Sequence, residues 1–456
     1  MTATAITTTA IDLSTMRASV TGEIVLPGDP SWDEARRAWN LAVDQRPSAV
    51  VVVDSVDDVI AVVDFARARG LHIAAQGTGH GACSLPALAD TILLKTSRLR
   101  GVEIDARSRR ARVEAGALWA DVVAPAAAQG FVVLHGSSPD VGVMGYTLGG
   151  GIGWLARSHG LAANAVTAVE IVTADGRLVW ADHESEPDLF WAVRGGGGSF
   201  GVVTAIEIEL FETPEFYAGA MFWPADRAGE VLHAWRAWVD TMPDEMTSVA
   251  RVLHFPPLPH IPEPLRGGSF AIVEAVFTGS EPDGQGLVAP LRALEPCMDT
   301  CAAVGPRALE DLHMDPPAPI PAAGDGIFVE ALPAAAIDAV VGTAVPPLLT
   351  LEIRHLGGVL AEPSPRHGAV GAIDAEFVMF AAGPTPTPGE HAAVVDAIDR
   401  AKAALGPWEA ARAYFNFSER PIDASRLYPA ETYQRLRRIN AIFDPSELFV
   451  SNHPIR

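Results

Sequence analysis

The residue best placed to do chemistry is His80, in the run Ala74-Ala75-Gln76-Gly77-Thr78-Gly79-His80-Gly81-Ala82. An imidazole can serve as base, ligand or nucleophile near neutral pH. Most solitary histidines are structural. This one stands between two glycines, which bring no bulk to bury it, so its ring is free to face a ligand. The run is one of three glycine clusters: Gly77 to Gly81, Gly142 to Gly153 and Gly195 to Gly201. Glycine lets the backbone approach a ligand closely, and successive N–H groups in such loops form nests for phosphate. One cluster would read as a tight turn. Three in one region, each costing conformational entropy, point to a bound cofactor.

Several familiar signatures fail. No Gly-Lys-Ser/Thr follows a glycine loop, which excludes a P-loop. Gly149-Gly150-Gly151-Ile152-Gly153 is not cleanly preceded by a strand, which disfavours a Rossmann dinucleotide site. Gly197-Gly198-Ser199-Phe200-Gly201 matches Gly-x-Ser-x-Gly, but the helix-like run lies before it and the strand-like run after it. That is the reverse of a nucleophile elbow, so Ser199 is disfavoured as a nucleophile. His-Glu-x-x-His is absent. Cys297 and Cys301 stand at helix-like spacing with no further ligands nearby, so no metal site is expected there.

The elements that must position these residues follow from periodicity. AVVVVDSV reads as a buried strand, DDVIAVVDFARARG as an amphipathic helix stopping at Gly70, and LHIAAQ as a second strand. TILLKTSRL, ARVEAGAL and VVTAIEIEL read as strands. AVEIVTADGRLVWA reads as a hairpin turning at Asp175-Gly176. LWADVVAPAAAQG and EPDLFWAVR read as helices. This α+β region ends near Pro214. From 215 to 410 the texture changes to proline-punctuated segments. RAGEVLHAWRAWVD reads there as a helix, with SFAIVEAVFTG, LLTLEIRHLGG and DAEFVMFAAG as strands. ETYQRLRRINAIF reads as a final helix before a proline turn. Residues 1–12 read as a disordered tail.

Composition bounds the rest. The 456 residues suggest two or three domains. Lys plus Arg number 33 against 56 Asp plus Glu, a formal charge of −23, which argues against nucleic acid as a partner. The hydrophobic fraction of 49% supports a large core. The most apolar stretch, 331–351, is broken by Pro333, Asp338, Pro346 and Pro347, so no membrane span is expected. The N-terminus lacks the basic start and apolar core of a secretory signal. Three cysteines make no disulfide framework, so the cytoplasm is the expected compartment.

Taken together, these motifs are identified as those of a known group. AAQGTGHGA, SSPDVGVMGYTLGGGIGWLARSHGLAANAV, DLFWAVRGGGGSFGVVT, YFNFSE and YQRLRRINAIFDPSELFVSNHPI occur in one order across nearly the whole chain. The sequence resembles the berberine bridge enzyme-like FAD-linked oxidases of the vanillyl-alcohol oxidase, or PCMH-type FAD-binding, superfamily. The resemblance implies an α+β fold with a PCMH-type FAD-binding domain of two α/β subdomains over 13–214. A substrate domain over 215–410 would carry an antiparallel sheet covered by helices, and 411–456 would return to the FAD-binding domain. It implies covalent FAD, with His80 bonded to the 8α-methyl. Gln76, Gly77, Thr78, Gly79, Gly81 and Ala82 would surround the pyrophosphate. Ser138, Pro139, Asp140, Gly142, Val143, Gly145, Tyr146, Gly149, Gly150, Gly153, Trp154 and Gly160 would follow the ribityl chain and flavin. Val203 would lie near the adenine, and Asn416 and Asn452 near the pyrimidine edge.

Departures from the family pattern are informative. Ser138 stands where many members carry a second attachment cysteine before Pro-Thr-Val-Gly, so single attachment is expected. Gln76 replaces a common loop arginine. Phe417 and Ile152 replace family tyrosines, which leaves Glu352, Glu376, Tyr414 and Tyr146 as candidate catalytic groups. Strand alternation puts Glu352 and Arg354 on one face and His355 on the other; Glu352 could equally be a plain partner of an arginine. The expected activity is hydride transfer from an alcohol, sugar or secondary metabolite to flavin N5, with O2 as acceptor and peroxide as product. A dehydrogenase using another acceptor and a non-catalytic flavin-binding protein are the alternatives. So few basic residues in the glycine clusters imply that backbone N–H groups hold the phosphates.

Overall fold

Buried β-branched runs build the first sheet. β1 (Glu23–Val25), β2 (Ala49–Val52), β3 (His72–Gln76) and β4 (Thr91–Lys95) lie in the order β1-β2-β4-β3. The computed structural model describes residues 14–259 and 261–456, so the reading of 1–12 as a tail falls outside the described residues. β2, β4 and β3 are parallel, while β1 runs antiparallel to β2. Parallel neighbours need a crossover, and the helix Val56–Arg69 supplies it between β2 and β3. Ser55 caps that helix by accepting the Asp58 N–H, and Gly70 ends it at φ 64. Val50, Val51, Ile73, Ile92, Leu93 and Leu94 are buried, as strands covered on both faces require.

The next strands are β5 (Val102–Asp105), β6 (Arg110–Glu114), β7 (Phe131–Val132), β8 (Val166–Val172), β9 (Leu178–Ala181), β10 (Val202–Glu209) and β11 (Phe211–Glu212). Five of them form an antiparallel sheet ordered β5-β6-β10-β8-β9, and β7 pairs with β11. Gly176, at φ 83, turns the chain from β8 into β9. The helices Trp119–Ala127 and Pro187–Gly196 pack Trp119, Val122, Phe190 and Val193 onto this sheet's core.

The third sheet is antiparallel and has eight strands: β12 (Phe216–Pro224), β13 (Met246–His254), β14 (Ser269–Thr278), β15 (Met298–Asp299), β16 (Ala302–Val304), β17 (Ala322–Val329), β18 (Thr350–His355) and β19 (Phe377–Pro384). Its order is β15-β12-β14-β13-β18-β19-β17, with β16 beside β12. Helices Ala228–Val239, Glu281–Arg292, Ala334–Val341 and Pro388–Leu405 bury Trp235, Val288, Ile337 and Ile398 against Trp223, Val273, Ile353 and Met379. One face of the sheet is thereby filled with hydrocarbon. The other face is left to other contacts.

The end of the chain comes back to the first sheet. Helix Ala430–Phe443 buries Leu436 and Ile439 in the second core. The Ile73 N–H then donates to Leu448 O at 2.8 Å, and the Val450 N–H donates to Ile73 O at 2.8 Å. Two local readings are corrected. Cys297 and Cys301 do not share a helix; they flank the short β15 as free thiols. Glu376 is not on a strand, since β19 begins one residue later.

Candidate active site

The loop after β3 carries His80 with its ring held from three sides. Trp39 stacks on the imidazole at 4.2 Å and 21°. Thr78 Oγ1 hydrogen-bonds Nδ1 at 2.8 Å, and Asp140 Oδ1 lies 3.7 Å from Nε2. The expectation that nothing buries this ring is therefore corrected: Trp39 arrives from a separate segment and does so. Burial lowers the His80 pKa to about 4 despite the opposing pull of Asp140 and Asp315. At neutral pH the ring is uncharged and keeps one nitrogen lone pair.

The loop's hydrogen bonds run through its carbonyls. Thr78 O accepts from the Trp39 N–H, Gly79 O from the Ala82 N–H, and Gly81 O from the Asn452 amide. Among the described residues, the N–H groups of Gly77, Thr78, Gly79, His80 and Gly81 meet no protein acceptor. A run of unclaimed donors at a turn suits an anion such as a pyrophosphate. Gln76 lies beneath, and both its amide atoms are buried without a partner. Gly79 sits at φ +87, and a Cβ there would press on Ala38 and the Gln76 amide, so only glycine fits.

The second wall is the segment from Ser137 to Gly160. Ser138 Oγ donates to Asp140 Oδ1 at 2.8 Å, and Pro139 O accepts from the Ala120 N–H. Gly142 caps the short helix Val143–Leu148, which contains Gly145 and Tyr146 and ends at Gly149. Tyr146 has a buried hydroxyl with no partner, and a Cβ on the exposed Gly145 would meet nothing within 4 Å. Asn416 Nδ2 donates to Tyr146 O at 2.9 Å and its side chain abuts Gly149. The Tyr414 hydroxyl accepts the N–H groups of Gly151 and Ile152 at 3.0 Å each, while Gly150 packs beside its ring. Burial pushes Tyr414 up to about 12, so it is a protonated anchor for this loop. Gly153 lies tight against His135 O, and Gly160 ends a helical turn at φ 84. Val203 is buried in β10 opposite Ile171.

Opposite this wall, the free face of the third sheet carries a chain of buried charges. Arg251 on β13 donates to Glu274 Oε1 on β14 at 2.5 Å. Glu274 Oε2 bonds His313 Nδ1 at 2.6 Å, and His313 Nε2 bonds Glu352 Oε2 on β18 at 2.7 Å. Arg354 Nε closes the chain on Glu352 Oε1 at 2.7 Å. Burial would raise the Glu352 pKa, but Arg354 and His313 hold it well below the usual carboxylate range. Burial and Arg251 work against protonating His313, yet Glu274, Glu352 and Asp315 outweigh them and raise it to about 9. The group is thus a fixed alternation of charges.

This chain of charges touches the glycine-rich wall. The Trp154 ring meets His313 edge-on at 6.0 Å, and Trp154 Nε1 donates to Leu309 O. Ser137 Oγ donates to Asp315 Oδ2 at 2.8 Å. Ser137, Ile152, Gly153, Trp154, Thr247 and Arg354 line a small cavity between the two. The Arg354 guanidinium lies over the Phe417 ring at 5.1 Å. Of the candidate catalytic groups, Glu352, Tyr414 and Tyr146 converge here. Glu376 does not: it is exposed and faces Arg236 at 3.7 Å, because the strand starts after it. Ser199 is buried and bonded to Ser451 Oγ, a clamp on the chain end.

Trp39, Arg251, Glu274, His313 and Asp315 were not singled out from sequence. Arg251 and Glu274 did leave a signal. Each is a lone charge inside an apolar strand run, and such a charge must be paired when buried. His313 and Asp315 lie in an irregular, proline-rich loop with no periodicity to read.

The unclaimed N–H groups, the orphaned Gln76 amide and the unpartnered Tyr146 hydroxyl fit a large phosphate-bearing cofactor. Residues 47–182 match the family described as FAD binding domain. The (R)-6-hydroxynicotine oxidase of Paenarthrobacter nicotinovorans is 35% identical over 206 residues, 45% of each chain. Over this stretch the chain carries an FAD binding domain, and it is similar there to FAD-linked oxidoreductases. Glucooligosaccharide oxidase of Sarocladium strictum is 34% identical over 223 residues, 47% of this chain and 44% of its own. The chain spans about half the length of these curated relatives. Among solved structures, the berberine bridge enzyme-like protein 1 of Physcomitrella patens superposes with a TM-score of 0.85 at 20% identity. It covers 98% of this chain and 99% of that one, which shows that the two share one mixed α/β fold.

Proposed function

We propose that this protein is a covalent-FAD oxidase acting on an alcohol, sugar or related small metabolite. The observation that carries the reading is the buried charge chain ending at Glu352 and Arg354, set against the glycine-rich wall beside His80. FAD, when bound, supplies a hydride acceptor that O2 regenerates with formation of peroxide. The loop N–H groups of residues 77–81 would hold its phosphates, and neutral His80 would carry the covalent link. Ser138 has no thiol, which supports a single attachment. Cys83 offers no second one, since burial pushes its thiol up to about 12.

On the substrate side, Glu352 would accept a proton from a substrate OH or NH, with its partner Arg354 lining the cavity. It is ionised at neutral pH, and two hydrogen bonds fix its orientation. His313 and Glu274 stand behind it as an ordered relay. Trp154, Ile152 and Phe417 bring apolar surface and keep water from the charges. The names of the relatives, a hydroxynicotine oxidase and a glucooligosaccharide oxidase, support small organic substrates. The free thiols support a reducing cytoplasm as its compartment.

The test is a screen of alcohols, sugars and cyclic amines with anaerobic bleaching of the flavin absorbance, followed by air and a peroxide assay. Bleaching by one class, with stoichiometric peroxide, is expected. A colourless protein with no affinity for FAD defeats the reading. Bleaching without reoxidation by air rejects the oxidase in favour of a dehydrogenase.

A further inference from the structure

Asp140 stands where the family pattern has threonine, and the surrounding contacts give it a task. Its Oδ1 lies 3.7 Å from His80 Nε2 and accepts the Ser138 hydroxyl at 2.8 Å. Its Oδ2 accepts the Trp39 indole N–H at 2.5 Å, and the same Trp39 stacks on His80. One carboxylate therefore fixes the indole that stacks on the imidazole and stands beside the ring's far nitrogen. On the remaining ring nitrogen, Thr78 Oγ1 completes the cage. Nothing in the charge chain on the third sheet needs this arrangement.

We propose that Asp140 is the positioning residue that promotes covalent attachment of FAD at His80. It would hold the ring in place and stabilise the positive charge that grows on it as the bond forms. The inference rests on the reading that His80 carries the flavin. In the net reaction, one imidazole nitrogen bonds to the flavin 8α carbon, while one 8α C–H and one imidazole N–H break. The two electrons pass to the flavin and then to O2, which leaves with the two protons as H2O2. During bond formation the ring passes through an alkylated, cationic state before the N–H proton departs. A carboxylate beside it lowers the energy of that state, as charge-assisted contacts do. Burial keeps the resting ring neutral, so its lone pair is available.

The experiment uses the full chain, produced in riboflavin-limited cells, mixed with FAD in air and acid-quenched over time. Intact mass reads the adduct, which weighs FAD less two hydrogens. Peptide mapping places it. Asp140→Asn is expected to slow attachment about tenfold or more, the scale of one lost charge-assisted contact, compared at FAD concentrations that saturate reversible binding as read by gel filtration before quenching. Asp140→Glu should recover most of the rate, and Trp39→Phe, which keeps the stack but frees Oδ2, should fall between. Should Asp140→Asn not fold, Trp39→Phe decides: an unchanged rate overturns the proposal. Wild-type attachment at His80 together with an unslowed Asp140→Asn also overturns it, and leaves the His80 link standing. A wild type that never gains the adduct overturns the His80 link itself.

Discussion

At His80 the proposed attachment depends on neutrality, and burial of the ring, which stacks on Trp39, keeps it neutral. His80→Ala is expected to bind FAD reversibly and lose all acid-stable flavin, read by protein-bound fluorescence after denaturation. Glu352 and His313 make a second residue-scale case. Glu352→Gln removes the proposed proton acceptor and should lower kcat by roughly 10²–10⁴-fold, the range for a general base; an unchanged kcat would reject Glu352. The pKa of His313 is raised from 6.5 to about 9. Its protonated form therefore contributes stability that is fully present below about 6.5 and lost as pH rises through about 9. Melting temperatures from pH 6 to pH 10 should show this loss in the wild type and not in His313→Gln. That variant should be less stable overall, by roughly 3–5 kcal/mol, because it breaks a buried ionic group. His80 was legible from its glycine flanks. Trp39 was not, because ring stacking across separate segments leaves no mark on local sequence.

Among the elements, the loop after β3 shows what glycine does here. Gly79→Ala would force φ +87 on a residue with a Cβ and push that atom into Ala38. The expected cost is about 1–3 kcal/mol at this strained position, with weaker FAD retention, measured by thermal melting and flavin titration. The elements of the first two sheets were mostly legible: Val56–Arg69 has its cap and its terminal glycine, and β8 and β9 have their Asp-Gly turn. In the third sheet, β14 and β18 were read correctly. β17 was not, since Ala-Ala-Gly-Asp-Gly breaks its apolar run; tertiary pairing with β19 makes it a strand. The placement of Glu376 failed by one residue, and that was enough to move it from the site to the surface. Strand ends depend on where the neighbour stops, and that neighbour is distant in sequence.

For the whole molecule, closure depends on its last residues. Leu448 and Val450 bond the strand that feeds the His80 loop, Asn452 bonds Gly81 O, and the Ile455 N–H donates to Ser199 Oγ. Deleting 448–456 is expected to lower the melting temperature and abolish FAD retention together, since it exposes β3 and frees the loop. A truncated chain that still holds flavin would contradict this. What the sequence determined by itself was local: helices and strands with clear periods, three glycine clusters, and a histidine with room to react. The buried chain of charges was decided only by the tertiary structure. Arg251, Glu274, His313, Glu352 and Arg354 come from three strands and one loop, and each is tolerable in the interior only because the others neutralise it. Periodicity reports which face of a strand is buried. It cannot report which distant charge will be waiting there.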